Sequence, residues 1–279
     1  MAGILYVVGT PIGNLEDVTL RALRVLRDVS VVAAEDTRRT ARLLQHYSIS
    51  TPATSLHEHN ERQKTPALVE RLVRGESVAL VSDAGTPVVS DPGGTLVAAA
   101  REAGIRVESI PGPSAVLAAI SASGLPAGEF TFVGFPPNRS KDRVTWLERV
   151  LREPRLVVFF EAPHRIVGTL TDLATVIGVD AVVGVGRELT KVHEELVVRP
   201  IRQLLEHFSE PVGEFTLLVP PREEPAVARS LPDARDITEE LGELTKNGRL
   251  KRREALKVLA ERHGLAVNAL YKLLGSAGP

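Results

Sequence analysis

A chain of 279 residues without cysteine excludes a disulfide-stapled scaffold, a thiolate nucleophile and a thiolate zinc site, and it is long enough to bury more than one core. Its 34 Lys and Arg nearly balance 35 Asp and Glu, so the total charge by itself calls for neither a nucleic acid nor a membrane partner. The N-terminal "MAGILYVVGTPIGNL" has no basic region and too short an apolar run for a signal peptide, and no stretch is long enough to cross a bilayer, so a cytoplasmic protein is expected.

Apolar runs of strand length alternate with helical spacing from the start. "ILYVVG" predicts a strand, "TLRALRVLRDV" an amphipathic helix, "SVVAAE" a strand and "DTRRTARLLQHY" a helix. "ESVALVS" and "IRVESI" are further strands, with "GGTLVAAAREAG" helical between them. Continuous apolar strands separated by helices predict a parallel or mixed sheet covered on both faces, so residues 1–123 are expected to form an α/β domain. Gly and Pro then cluster at "SGLPAGEFTFVGFPPNRS", and the next strands, "EFTFVGF", "RLVVFFE", "AVVGVGREL", "HEELVV" and "EFTLLV", lie closer together. Some leave no room for a helix between them, which predicts a second α/β domain over 124–220 with a more antiparallel sheet.

"PPREEPAVARSLPDARD" marks a linker, placed at 221–232, and residues 233–279 read as a helical module. Lys246, Arg249, Lys251, Arg252, Arg253 and Lys257 concentrate positive charge there that the whole-chain sum conceals. Ala260, Gly264, Leu270 and Leu273 have the spacing of a helix-turn-helix. A solvated basic face is the ordinary reading of such a charge run; its coincidence with the turn points to nucleic-acid contact.

Three loops should leave the carboxyl ends of strands in the first domain: "GTPIGNLED", "SDAGTPVVSDPGG" and "PGPSAV". Open α/β sheets bind ligands at that edge, where glycine admits close backbone approach and proline holds a loop open. The first turn lacks G-x-G-x-x-G, and no P-loop occurs anywhere, so both common nucleotide fingerprints are missing.

The segments "LYVVGTPIGNLEDVTLRALRVL", "AAEDTRRTARLL", "SLHEHNE", "VSDAGTPVVSDPG", "IPGPSAVLAAISASGLP", "FVGFPP", "EAPHRI" and "GRELTKVHEE" resemble, in order, the ribosomal RNA small-subunit methyltransferase I family of the tetrapyrrole-methylase superfamily. The resemblance runs from Ile4 to about Val219, and the C-terminal module is similar to the family's helical RNA-binding tail. It implies two α/β domains with S-adenosylmethionine in the cleft between them, and methyl transfer to the ribose 2′-oxygen of a cytidine in the decoding region of 16S rRNA. It also implies a homodimer, with rRNA within the small ribosomal subunit as partner. By position it implies cofactor contacts from Pro11, Asp83, Ala84, Gly85, Thr86, Ser114 and Ala115, and more weakly from the segments around Val133, Ala162 and Leu189. The loop "SDAGTP" departs from the G-D-P type of the tetrapyrrole members, which favours the RNA branch.

A ribose hydroxyl attacking a sulfonium methyl needs alignment, and a base or a stabilising cation within hydrogen-bond reach. From "GRELTKVHEE" and "EAPHRI", Glu188 or Lys191 is expected to handle the proton, and Arg165 or Arg187 to contact phosphate, with Arg249, Lys251, Arg252 and Arg253 binding RNA from the tail. His164 can serve equally as a helix cap or an RNA contact, and Glu35 and Asp36 fit a helix start by the dipole alone, with a cleft role left open. His57 and His59 alternate as in a strand, but no third ligand follows at metal spacing, so no metal is expected. His46 and His207 sit on amphipathic helices and need no function. The competing functions are a tetrapyrrole carbon methyltransferase, which needs no basic tail, and a ligand-sensing regulator that binds DNA without methyl transfer.

Overall fold

The computed structural model describes residues 2–221, 234–246, 250–263, 270 and 274. Five strands, β1 (Ile4–Val8), β2 (Val31–Ala34), β3 (Ala53–Ser55), β4 (Val78–Val81) and β5 (Arg106–Ile110), form a wholly parallel sheet in the order β3-β2-β4-β1-β5. Each crossover carries a helix: α1 (Leu20–Asp28), α2 (Thr37–His46), α3 (Glu61–Val73) and α4 (Gly94–Glu102), and α5 (Ala115–Ser123) follows β5. Side chains alternate across a strand. Ala79 and Val81 therefore join Val32 and Ala34 under α1 and α2, while Val78 and Leu80 join Val31 and Ala33 under α3 and α4. Both faces are covered, which is why β2 and β4 are apolar and buried at every position.

One local reading is corrected. His57 and His59 do not lie in a strand: β3 ends at Ser55, and the His57 N–H donates to Asn60 Oδ1 at 2.9 Å in the turn that opens α3. The N–H groups of Asn60 and Glu61 donate back to the His57 carbonyl, so a closed turn overrides a short alternation that no neighbouring strand supports. His164 precedes α7 (Ile166–Ile177) without capping it, because Arg165 occupies the cap position and no side chain bonds there.

The second sheet has the order β6-β7-β10-β8-β9, from β6 (Phe130–Phe132), β7 (Leu156–Glu161), β8 (Val182–Arg187), β9 (Glu195–Pro200) and β10 (Phe215–Val219). Only the β6–β7 pair is parallel; the other pairs are antiparallel, and β8 and β9 follow each other without a helix. Its core gathers around Phe159, Phe208 and Phe215 under α6 (Ser140–Val150), α7 and α8 (Ile201–His207). A buried Arg143–Asp172 pair at 2.7 Å ties α6 to α7. Because β7 and β8 each run antiparallel to β10, the carboxyl ends of β6, β7 and β8 share one edge.

An apolar cluster joins the two sheets: Ile12, Val116 and Ala119 pack with Leu156, Val158, Leu189 and Leu218. Both sheets lie within one compact unit, Met1–Pro221. The other unit, Arg222–Pro279, has a helical core in which Ile237 and Leu241 of α9 (Ala234–Thr245) meet Ala255, Leu256 and Leu259 of α10 (Arg252–His263). Lys251, Arg252, Arg253 and Lys257 are exposed along the start of α10, whereas α9 exposes Glu239 and Glu243. Arg249, Gly264 and Leu273 lie outside the described residues. No described helix is long and apolar enough to cross a membrane.

Candidate active-site cleft

The strands β4, β1 and β5 are neighbours, so the loops that follow them meet at one edge. A Cβ built on Gly9 would fall 2.8 Å from Gly112 Cα, and one on Gly112 would fall 2.9 Å from Gly9 Cα. The β1 and β5 loops thus touch backbone to backbone, which only glycine permits. Thr10 and Gly85 exchange both backbone hydrogen bonds, at 2.9 and 3.1 Å, joining the β1 and β4 loops. Gly85 does so with φ of +75°, in the left-handed region. A Cβ on Gly85 would also fall 3.7 Å from the Pro113 carbonyl, so the β4 loop reaches the β5 loop just before Ser114. Ala84 and Ala115 pack on the inter-sheet cluster with Ile12 and Leu189. The Ser114 hydroxyl accepts the Leu117 N–H at 3.4 Å and so caps α5.

The edge is acidic. Asp83 Oδ1 accepts the Asp36 N–H at 3.0 Å, its Oδ2 faces Arg39 at 3.4 Å, and its own N–H donates to Glu35 Oε2 at 3.2 Å. Burial, helped by the charges of Asp83 and Asp36, pushes the Glu35 carboxyl above its ordinary value. Asp91, later in the same loop, is pushed up to about 6, chiefly by burial and further by the charges of Glu35 and Asp83, against a hydrogen bond with Ser82. Asp36 differs: hydrogen bonds from Arg38 hold it down at about 2, and it caps α2.

The amino end of α4, where an anion would otherwise bind, is filled by the protein itself. Glu61 Oε1, from α3, accepts the N–H groups of Gly93, Thr95 and Leu96 at 3.1, 2.7 and 3.3 Å. With that terminus occupied and carboxylates along the rim, the edge suits a cationic ligand gripped by backbone groups and does not suit a phosphate. S-adenosylmethionine, a sulfonium, fits that donor set. Glu61 and Asp91 are residues that sequence reasoning did not single out. Asp91 sits inside a quoted loop and could have been found there, but Glu61 acts across 32 residues and left no local signal.

The facing wall comes from the second sheet. Val133, Ala162 and Leu189 follow β6, β7 and β8 at their common edge, with Leu189 in the inter-sheet cluster and Val133 packed against the second core. The Lys191 loop closes on the first: a Cβ on Gly13 would fall 2.4 Å from Lys191 Cγ, and the Asn14 N–H donates to Thr190 Oγ1 at 3.1 Å. Glu188 and Thr190 have φ of +50° and +67°, strain of the kind that accumulates where function constrains a backbone. Lys191 Nζ lies 2.7 Å from Glu188 Oε1 and 3.1 Å from Glu214 Oε2. Burial works to raise the Glu188 pKa, but hydrogen bonds from Lys191 and the Glu214 N–H outweigh it and hold the carboxyl below its ordinary value. Burial likewise opposes the charge on Lys191, yet its bonds to Glu188 and Glu214 keep it above the usual lysine value.

Two arginines expected at phosphate are committed inside the protein. Arg165 pairs with the buried Glu161 at 3.1 Å and donates to the carbonyls of Pro136 and Pro137 at 2.6 and 2.9 Å. Arg187 pairs with Glu195 at 2.9 Å and sits over the Phe208 ring at 6.0 Å. Positive charge alone did not reveal that each already has a carboxylate within the fold. Lys251, Arg252 and Arg253 remain exposed.

Residues 4–205 match the family of Tetrapyrrole (Corrin/Porphyrin) Methylases. The chain is 47% identical over 275 residues to Ribosomal RNA small subunit methyltransferase I of Vibrio cholerae, covering 97% of this chain and 94% of that one. It is 44% identical over 276 residues to the protein of the same name from Synechocystis sp., covering 97% of each. Among solved structures, uroporphyrin-III C-methyltransferase from Thermus thermophilus, complexed with S-adenosylhomocysteine, aligns with a TM-score of 0.56 at 21% identity over 78% of this chain and 97% of that one. At that identity the likeness speaks for the fold.

Proposed function

Because the chain belongs to the ribosomal RNA small subunit methyltransferase I family, within the tetrapyrrole methylases, we propose that it methylates the ribose 2′-oxygen of a cytidine in the decoding region of 16S rRNA. Its substrate in this reading is the small ribosomal subunit in the cytoplasm, and its working form is a homodimer. The observation that carries the reading is the meeting of three backbone-gripping loops at an acidic edge that faces the Glu188–Lys191 pair.

Pro11, Asp83–Thr86 and Ser114–Ala115 would hold S-adenosylmethionine from the first wall, and Val133, Ala162 and Leu189 from the second. The bound cofactor supplies a methyl carbon on a good leaving group. The two walls align the attacking oxygen, and the apolar cluster of Ile12, Val116 and Leu189 keeps water from the cleft.

The hydroxyl must shed a proton, so the base needs some affinity for it. Glu188 is a poor acceptor because Lys191 and the Glu214 N–H both bond its Oε1 and hold the carboxyl below its ordinary value. Its role in this reading is to orient Lys191, whose retained charge stabilises the developing oxyanion. Glu35, pushed upward by burial and set one hydrogen bond from Asp83, is the better acceptor. Lys251, Arg252 and Arg253, exposed on the separate helical unit, would bind RNA phosphates.

The test is transfer of labelled methyl from S-adenosylmethionine to unmodified small subunits and to naked 16S rRNA, with the product mapped. Label at one decoding-region ribose supports the reading. Absence of label on both, from protein that binds the cofactor in calorimetry, overturns it.

A further inference from the structure

Phe135 leaves 53% of its surface in water. Single exposed hydrophobic side chains are common and need no account, so its surroundings decide. It follows Gly134, where a Cβ would fall 3.3 Å from Ser90 Oγ in the β4 loop; Phe135 therefore stands where the two walls of the cleft approach each other. Val88 and Val89, beside Ser90, are 40% and 52% exposed. Val88 and Ser90 hold left-handed φ angles of +76° and +65°, which a β-branched residue rarely adopts.

The ring is held from behind. It lies at 5.5 Å from Phe160, which meets Phe132 edge-on at 4.9 Å and packs on the cluster that joins the sheets. Its backbone is held too: Arg165 bonds the carbonyls of Pro136 and Pro137 and the Asn138 side chain, while the buried Glu161 pairs in charge with Arg165 at 3.1 Å and accepts from the Ala162 N–H and the Thr169 hydroxyl. A core role would cover this ring, and a mobile loop would not have the carbonyls of its two prolines bonded by Arg165.

A ribose reaches a cleft from structured RNA only when its nucleotide turns out of the stack, and the freed base then needs an aromatic surface. We propose that Phe135, presented by the Arg165–Glu161 clamp, is the platform on which the nucleobase of the target nucleotide stacks. This rests on the reading of the cleft as an RNA methylation site. It also gives Arg165 its part in the reaction, as a positioning residue acting through the loop that bears Phe135.

The experiment compares the full chain with Phe135→Tyr, Phe135→Leu and Phe135→Ala in labelled methyl transfer to small subunits, with cofactor affinity by calorimetry and thermal melting alongside. Stacking predicts that Tyr preserves kcat/KM, while Leu, apolar but without a π face, and Ala lower it about ten- to a hundredfold. Cofactor affinity and melting temperature stay level across the series. Pyrrolocytidine at the target position should be quenched by the parent protein and by the Tyr variant, and not by Leu. A fully active Leu variant overturns the proposal, and so does a loss of cofactor affinity in the Ala variant, which would assign the ring to the cofactor. Equal losses in Tyr and Leu accompanied by a change of oligomeric state would assign it to a subunit contact and overturn the proposal likewise. If the parent protein labels no RNA, the reading of the cleft fails first, a result distinct from an active parent with an active Leu variant.

Discussion

Replacing Glu61 with alanine isolates the device that anchors the far end of the β4 loop. One oxygen, Oε1, accepts three backbone N–H groups at the start of α4, and Gly93 at the cap position has no side chain to do so. A hydrogen bond to a charged group contributes about 1.5–3 kcal/mol, and a carboxylate at a partly buried helix start adds up to about 2 kcal/mol. The three bonds share an oxygen and do not add in full, so Glu61→Ala should cost about 2–3 kcal/mol. Glu61→Gln keeps a carbonyl oxygen in place and gives up the charge, which should cost about 1 kcal/mol. For a unit the size of Met1–Pro221 the alanine loss corresponds to a melting shift of roughly 5–10 °C. The assay is urea unfolding of all three proteins at neutral pH, with S-adenosylmethionine affinity measured by calorimetry; the Ala variant should bind more weakly because Gly93 and the loop before it lose their anchor. If both variants stay within about 0.5 kcal/mol of the parent, the N–H groups are satisfied by water and the anchoring argument is wrong.

Gly9→Ala should abolish cofactor binding and destabilise by at least about 2 kcal/mol, since its Cβ meets the Gly112 backbone and no side chain can yield; calorimetry and melting check both. Glu35→Gln should lower kcat about a hundredfold or more with cofactor affinity retained. It should also remove the acidic limb of the pH–rate profile, which in the parent is displaced upward from the ordinary glutamate value because the raised Glu35 must lose its proton to act as base. Asp91 has a folded pKa of about 6 against 3.8 in the unfolded chain, so its contribution to stability is complete below 3.8 and is lost as pH rises through 6. Asp91→Asn should therefore gain on the parent between those values, by on the order of 1 kcal/mol after allowance for solvent screening, and parallel stability curves in that window would contradict it. Deleting residues 233–279 should weaken binding to the subunit and flatten its salt dependence while leaving cofactor affinity intact, as filter binding across a salt series would register.

Much of the fold is written locally. Apolar strands, amphipathic helices and the punctuation of "GTPIGN", "SDAGTPVVSDPGG" and "PGPSAV" announce a parallel sheet and the edge on which its loops gather, because backbone freedom and hydrophobic period are properties of neighbouring residues. The segment "SLHEHNE" defeated the same logic: too short for its alternation to decide, it turns into α3 through bonds between His57 and Asn60.

Charges were legible only as charges. That Arg165 clamps a loop, Arg187 meets Glu195 and Glu188 holds Lys191 depends on which groups the fold brings within a few ångströms. The sequence by itself determined the architecture and the sheet edge at which the three loops gather, since both follow from local pattern. The tertiary structure alone decided which carboxylate keeps an affinity for protons, which cation stays charged and which ring stays uncovered, because burial and pairing are set by residues far apart along the chain.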